Sequence, residues 1–326
     1  MSWFQFSLGD FSLSFLSVIL EGVPFLLLGS LLSGIVDVWV SPATVARIVP
    51  KNRFLSVLAG GLLGLVFPMC ECGSVIVIRR FLKKGLPLGT AVSYMLAAPI
   101  VSPIVAFSTW AAFRGQHAGM MTASRLLLGF MIAAGTGLLL QKLRPDSILQ
   151  PGVLPNATTS RRPSLTIASE PTQDTVTPDE SSSLAGLSTA QRLVEALRTA
   201  ASDFLEVAFV FVIGTLVTSL LGTAVNRSVI DPLASNPPLA IFGMQALASL
   251  LALCSTTDAF IAASGFIAFP AAAKLAFLVF GPMFDLKLFW LYSLLFKRRL
   301  ILALGLGLFL VTGLICWRLG PLLFPS

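Results

Sequence analysis

Charged residues are scarce in this 326-residue chain, where Asp, Glu, Lys and Arg together make up 11% of the sequence and hydrophobic residues 56%. Soluble globular domains carry about 25% charged residues. The composition therefore excludes an ordinary water-soluble globule, and a mean hydropathy of +0.89 indicates an integral membrane protein.

Signatures of common enzymes are also missing. The sequence contains no P-loop, no dinucleotide-binding glycine fingerprint, no H-E-x-x-H and no G-x-S-x-G, so it encodes neither ATP hydrolysis nor common hydrolase chemistry. We expect no enzyme and no cofactor. The net charge of +7 does not indicate a nucleic-acid partner, because the basic residues form short clusters beside apolar segments, where they set membrane topology.

Long apolar segments fill most of the chain. They are continuous runs without the alternation of barrel strands, which predicts helices. The fold class is therefore an all-α integral membrane protein. Eight segments are found, at about 11–34, 54–84, 87–112, 120–141, 204–224, 239–266, 270–295 and 300–318.

A polar stretch separates the fourth and fifth of these segments. Most of 142–203 is rich in Pro, Ser, Thr and acidic residues, a composition that cannot bury a core and predicts disorder. Its end, LSTAQRLVEALRTAASDF, has Ser188 as a helix cap and apolar residues on helical spacing, which predicts a short amphipathic helix before the next span. We expect this linker to be cytoplasmic.

The two sides of the linker form an internal repeat. Glu21 corresponds to Glu206, Cys70 to Cys254 and Pro99 to Pro282, with an offset that stays between 183 and 185 residues. Chance matches would not keep such a constant offset. The domains are therefore a first transmembrane repeat at 1–141, the linker at 142–203 and a second transmembrane repeat at 204–326.

The distribution of Lys and Arg favours an inverted arrangement. If 54–84 and 239–266 are re-entrant hairpins, most basic residues fall on one face of the membrane, as the positive-inside rule expects. A hairpin arm such as FLSVLAGGLLGLVF is also too short to cross about 30 Å of hydrocarbon. The prediction is six spans and two re-entrant hairpins, with two inverted repeats and both termini outside.

Polar and helix-breaking residues mark the hairpin tips and the spans that follow them. Such breaks in transporters surround the substrate near the midplane. Each repeat is thus predicted to contain a re-entrant hairpin and a broken transmembrane helix. The candidate substrate-binding residues at these breaks are Cys70, Glu71, Cys72, Gly73, Ser74, Pro99, Ser102, Cys254, Ser255, Thr256, Asp258, Pro282 and Asp285.

The cysteines and acidic residues suggest two kinds of chemistry. Thiolates of Cys70, Cys72 and Cys254 favour thiophilic centres, including trivalent arsenic, while inert packing is the alternative. Acids within apolar segments usually mark an ion or substrate path. Glu21 and Glu206 are therefore candidates for proton coupling, with structural pinning as the alternative. Asp258 and Asp285 are candidates for contact with a coupling ion or a polar group of the substrate. Lys274 and Lys287 are expected to pair with them or to extend their amines toward the membrane surface, an alternative that applies above all to Lys274.

The motifs PMCECGSVIVIRRFLKKGLPLGTAVSYMLAAPIVSPIV, CSTTDAFIAASGF and FGPMFDLK resemble those of the YraQ/ArsP-type family of bacterial permeases, over nearly the whole chain. The best-understood members export trivalent organoarsenicals such as methylarsenite across the inner membrane, and many members have no assigned substrate. The resemblance implies a functional set of Cys70, Glu71, Cys72, Gly73, Pro99, Pro103, Cys254, Asp258, Pro282 and Asp285.

The sequence thus predicts an inner-membrane secondary permease with a midplane site that is alternately exposed. Its substrate would be a trivalent organoarsenical or another thiophilic solute, with membrane lipid as its surroundings and protons as the coupling ion. The alternatives are a permease for a small anion or organic solute, and a membrane thiol redox or sensor protein that uses Cys70 and Cys72. The oligomeric state stays open.

Overall fold

The computed structural model describes residues 8–67, 69–143, 145–150, 188–224, 234 and 236–324, and these residues are helical apart from turns, loops and one isolated bridge between Leu149 and Phe296. This confirms the predicted all-α class. The helices are α1 (Leu8–Trp39), α2 (Pro42–Ile48), α3 (Arg53–Val66), α4 (Glu71–Lys83), α5 (Leu88–Ala97), α6 (Pro103–Ala112), α7 (Ala118–Leu140), α8 (Pro145–Ile148), α9 (Thr189–Ala224), α10 (Pro237–Leu251), α11 (Thr257–Ser264), α12 (Ala271–Phe280), α13 (Leu286–Tyr292) and α14 (Arg298–Leu323).

Four of these helices, α1, α7, α9 and α14, are long and apolar enough to cross a membrane. The predicted spans at 87–112 and 270–295 are each divided into two shorter helices, α5 with α6 and α12 with α13. The breaks fall at the residues that the sequence marks. Pro103 begins α6 after the extended Ser102, and Asp285 caps α13 by accepting a hydrogen bond from the backbone N–H of Leu288.

The two predicted hairpins are also interrupted near their centres. Helix α3 ends before Phe67, and α4 begins with Cys70 as its cap, whose Sγ accepts a hydrogen bond from the backbone N–H of Gly73 at 3.4 Å. In the second half α10 ends at Ala252, which has the left-handed backbone conformation (φ 44°), and α11 begins after Thr256. We call residues 67 and 69–72 the first tip and residues 252–256 the second tip.

The predicted linker is described only in part. Residues 151–187 lie outside the described residues. At its end, Ser188 and Gln191 form reciprocal cap hydrogen bonds, from Ser188 N to Gln191 Oε1 and from Gln191 N to Ser188 Oγ. The amphipathic helix predicted here continues without a break into the next span as the single helix α9.

Helix packing repeats between the two halves. Helix α3 packs on α5 and α7, and its counterpart α10 packs on α12 and α14. Glycines allow the close approaches: a Cβ on Gly60 of α3 would lie 2.5 Å from the carbonyl oxygen of Thr90 in α5, and one on Gly313 of α14 would lie 2.3 Å from Phe242 in α10. Small residues of this kind let helix backbones approach in membranes.

Corresponding long helices of the two halves run in opposite directions. Helices α1 and α9 are antiparallel, because Gly34 meets Ala196 while Gly22 meets Phe211. Helices α7 and α14 are connected at the C-terminal end of α7 and the N-terminal end of α14, where Lys297 N donates to the carbonyl oxygen of Ile148 at 2.8 Å.

A group of ionic contacts fastens one end of the molecule, which we call the basic end. Arg80 of α4 donates to both carboxylate oxygens of Asp203 in α9, at 2.9 and 3.0 Å, and Asp203 also accepts from Ser33 of α1 at 2.6 Å. Lys84 donates to the carbonyl oxygens of Asp37 and Val40, at 2.7 Å each. The end of α4 is therefore held against α1 and α9.

The contact between Gly60 and Thr90 leads to a test of this packing. We expect Gly60→Ala to lower the free energy of unfolding by about 1–3 kcal/mol, because the added methyl overlaps a backbone carbonyl that cannot move independently. Gly135→Ala in α7 is the control, since a Cβ there would meet nothing within 4 Å and alanine favours helix by up to about 1 kcal/mol. Thermal unfolding in detergent measures both, and equal stability of the two variants would contradict the packing described.

Candidate functional site

Lys287 of α13 joins the two tips at the centre of the molecule. Its Nζ donates to Glu71 Oε1 at 3.0 Å and to the carbonyl oxygen of Ala252 at 3.2 Å, and it lies 3.7 Å from Asp285 Oδ2. The side chains of Lys287 and Glu71 are only 3% and 2% exposed. One cation thus binds groups from the first half, the second tip and the second broken span.

Local helix geometry places these charges. Asp285 caps α13, which puts Lys287 in the first turn of that helix, directed toward α4. Glu71 is the first residue of α4, where the helix dipole stabilises a carboxylate. Burial of either charge alone would be costly, and their pairing offsets that cost.

A small cavity of about 50 Å³ lies beside this ion pair. Its volume is comparable to one or two water molecules in the liquid, at about 30 Å³ each. Cys70 and Cys72 reach it from the first half and Cys254 from the second. The complete lining is Ser17, Val18, Glu21, Gly22, Phe25, Cys70, Glu71, Cys72, Phe211, Leu253, Cys254, Thr257 and Lys287.

The three thiols are close to one cavity without forming a ligand set. All of them are free cysteines, and the described residues contain no group of three or more His, Cys, Asp or Glu side chains placed to hold a metal ion. Shared ligation by Cys70, Cys72 and Cys254 therefore requires the two tips to take a different arrangement from the one observed.

The matched glutamates lie in different surroundings. Glu21 lines the cavity, and its Oε1 accepts a hydrogen bond from Thr257 of α11 at 3.0 Å. Glu206 pairs with Arg79 at 2.6 Å, and its side chain is 43% exposed. The repeat in sequence thus places one glutamate at the site and the other on the outer surface of α9.

Arg125 of α7 is a site residue that the sequence reasoning missed. It is fully buried and donates to Thr109 Oγ1 of α6 at 2.8 Å and to the carbonyl oxygen of Ser255 at 2.7 Å. It therefore fastens the second tip to the first half. The available signal was a single arginine within an otherwise apolar 23-residue helix, since such residues usually face the bundle interior.

Three buried carboxyl groups near the tips each have an oxygen without a hydrogen-bond partner among the described residues: Glu71 Oε2, Asp258 Oδ2 and Asp285 Oδ2. Asp285 Oδ2 still feels Lys287 at 3.7 Å. Asp258 Oδ2 faces Gly281 of the second broken span, where an added Cβ would lie 3.3 Å away. The site thus retains acceptor capacity that a proton or a bound solute can use.

The other predicted site residues support the breaks rather than line the cavity. Ser74 Oγ donates to the carbonyl oxygen of Glu71 at 2.8 Å, and Gly73 allows the close approach of Gly29 in α1. Ser255 presents its carbonyl to Arg125. Pro99, Ser102, Thr256 and Pro282 belong to the breaks and, within the described part of the chain, are absent from the cavity lining.

Comparison with known proteins identifies the family of the chain. A family described as predicted permeases, ArsP_1, matches residues 7–317. The chain belongs to this family. It is 35% identical over 290 residues to the UPF0718 protein YcgR of Bacillus subtilis, which covers 89% of this chain and 90% of that protein. It is 32% identical over 288 residues to a Streptococcus mutans protein named as a subunit of a two-component membrane permease complex, which covers 88% of this chain and 87% of that protein. No solved structure matches the chain.

The predicted resemblance is therefore confirmed, and the chain is a multi-pass member of a permease family. Membership of this family indicates a transport role. The names of the two relatives state no substrate.

The buried pair of Lys287 and Glu71 can be tested by a double-mutant cycle. We expect Lys287→Met alone to cost about 3–5 kcal/mol of stability, because it leaves Glu71 buried without its partner. Adding Glu71→Gln should recover part of this loss, which gives a coupling of roughly 2–3 kcal/mol. Thermal or denaturant unfolding in detergent provides the measurement.

The exposed pair Arg79–Glu206 is the matched control for that cycle. Since this pair is open to solvent, Arg79→Gln and Glu206→Gln should show a coupling of about 0–1 kcal/mol. Coupling energies of similar size for the two pairs would mean that Lys287 and Glu71 are not buried together.

Proposed function

We propose that the protein is a secondary transporter of the bacterial inner membrane, which works by alternating access at the cavity between its two halves. The observation that carries the proposal is the contact of Lys287 with Glu71 and with Ala252. It joins helix breaks from both halves around one buried polar site. Transporters place broken helices and their binding sites in this way.

Contacts around α3 and α4 support a re-entrant first hairpin. Ser56, near the start of α3, hydrogen-bonds to Thr90 at the start of α5. Lys84, at the end of α4, bonds to the carbonyl oxygens of Asp37 and Val40, and only the short turn at Gly85 separates it from α5. The hairpin therefore starts and ends at the basic end, with its tip in the interior.

The second hairpin is oriented the other way. Helix α14 begins at the basic end, near Lys297. Gly313 of the same helix contacts Phe242 of α10. The distance from Lys297 to Gly313 along the helix axis is about 24 Å, at 1.5 Å per residue. Ala263, near the end of α11, accepts from Gln116 at 3.5 Å, in the turn that precedes α7. Both arms of this hairpin thus approach the opposite end. Together with the antiparallel α1 and α9, this supports inverted repeats.

The positive-inside rule then orients the molecule. The basic end carries Arg80, Lys84 and the exposed Arg298 and Arg299, so we place it in the cytoplasm together with the linker. Both termini then lie outside. The tips and the cavity between them fall within the membrane.

For the substrate we propose a thiophilic solute, with trivalent organoarsenicals as the leading class. Three free thiols from two halves line one cavity, and soft thiolates prefer such centres. A solute that binds Cys70 and Cys72 on one tip and Cys254 on the other would draw the tips together. Its release on the other side would let them separate.

Protons are the proposed coupling ion. Three buried carboxyl groups, Glu71, Asp258 and Asp285, face two buried cations, Lys287 and Arg125. With all five of these groups ionised, one negative charge among them would remain uncompensated, which is costly in a buried site. The site therefore favours binding a proton. When a cysteine thiol binds the arsenic, its proton leaves with the displaced hydroxyl group as water, so this exchange itself releases no proton. Glu21, which lines the cavity, is the proposed carrier of the coupling proton.

Uptake of methylarsenite into everted membrane vesicles tests the proposal. We expect Cys70→Ser, Cys72→Ser and Cys254→Ser each to abolish accumulation, because each removes one thiol from the cavity. Cys316→Ser is the matched control, since Cys316 is buried in α14 away from that cavity and should leave transport unchanged.

Other outcomes would contradict the proposal in different ways. Normal transport by the three serine variants would favour a permease for a small anion or organic solute. A disulfide between Cys70 and Cys72 that forms and breaks during turnover would favour the thiol redox or sensor alternative. If wild-type vesicles accumulate no arsenical, the substrate class is wrong.

A further inference from the structure

A second and larger cavity lies apart from the candidate site, between α1 to α5 near the basic end. Its volume is about 380 Å³, and its wall is mainly apolar. Ile35 and Val36 of α1, Val45 of α2 and Phe81 of α4 form much of this wall. The polar residues of the wall are Thr44, Thr90 and Tyr94. The hydroxyl of Thr90 is hydrogen-bonded to Ser56, and that of Thr44 to Ser41. The wall contains no charged residue.

Basic residues adjoin in sequence the cavity-lining residues in and after α2. Arg47 lies between the lining residues Val45 and Ile48, and Lys51 and Arg53 follow the lining residue Val49 within a few positions. All three basic side chains are exposed. Within the described residues, none of them has an acidic partner within ion-pair distance. An apolar cavity and a free cationic rim thus occur together.

We propose that this cavity binds one acyl chain of an anionic phospholipid, whose phosphate headgroup lies against Arg47, Lys51 and Arg53. The charge of the rim complements the headgroup, and the apolar wall complements the chain. Basic pockets between membrane helices on the cytoplasmic side bind anionic headgroups for the same electrostatic reason. The proposal depends on the membrane location of the chain and not on which solute it carries.

The location of the cavity gives the lipid a structural role. Val77, Ile78 and Phe81 of α4 line it, and the same helix begins with Glu71 and Cys72 at the candidate site. An acyl chain in the cavity fills the space behind α4. It therefore supports the helix that positions the first tip against Lys287.

Binding to the purified full-length protein in detergent tests this proposal. Native mass spectrometry would compare dioleoyl phosphatidylglycerol with dioleoyl phosphatidylcholine, which share their acyl chains and differ in headgroup charge. We expect phosphatidylglycerol to bind more tightly to the wild type. The triple variant Arg47→Gln, Lys51→Gln, Arg53→Gln should lose that preference, because each substitution lowers the affinity for phosphatidylglycerol by about fivefold. These exposed substitutions leave the core unchanged.

Two further variants make the result specific. Arg298→Gln with Arg299→Gln removes exposed charge at the start of α14, where no residue lines the cavity, and should leave the preference intact. Ile35→Trp should fill the cavity and weaken binding of both lipids. Three results would each overturn the proposal. The wild type could bind the two lipids equally, or the triple variant at 47, 51 and 53 and the double variant at 298 and 299 could change the preference equally. The third result is unchanged lipid binding by Ile35→Trp.

Discussion

The structure depends on one buried cation. Lys287 lies in the interior at 3% exposure, where an unpaired charge would be severely destabilising, and so Glu71, Asp285 and the carbonyl of Ala252 must converge on it. Each of these groups lies at a break in a helix. The same contact that satisfies the lysine therefore holds the broken helices in place, and it encloses a cavity lined by three thiols. A transporter needs a polar site inside a membrane, and here the breaks and the charges stabilise one another.

The rest of the molecule supports that centre from outside. Glycine contacts bring α3 against α5 in the first half and α10 against α14 in the second, which leaves little freedom for the outer arms. Asp203 ties α4 to α1 and α9 through Arg80 and Ser33, and Arg125 ties the second tip to the first half. Movement of the tips thus requires rearrangement of a small number of charged contacts. The apolar cavity behind α4 is a large space next to this framework, and a lipid chain suits it.

Much of this could be predicted from the sequence. Low charge and long apolar runs identify a helical membrane protein, and the constant offset between Cys70 and Cys254 or Pro99 and Pro282 identifies the paired breaks. The partners of the charges could not be predicted, because periodicity does not tell which helices meet. Lys287 was expected to pair with Asp258 or Asp285; it does approach Asp285, but its closest carboxylate is Glu71 of the other half. Glu206 matches Glu21 in sequence and yet meets Arg79 at the surface, since equivalent helices need not have equivalent neighbours.

Cross-linking between the two tips tests the central claim most directly. The protein for this test carries Cys316→Ser and a protease site inserted within 151–187, so that cleavage separates the halves. Mercuric ion, a small thiophilic cross-linker, is added first. The protein is then cleaved and analysed by denaturing electrophoresis. If the tips meet at one cavity, Cys70 or Cys72 is linked to Cys254 and the halves migrate as one band. The additional change of Cys70 and Cys72 to Ser should separate them. Separate halves in both proteins would contradict a shared site between the repeats.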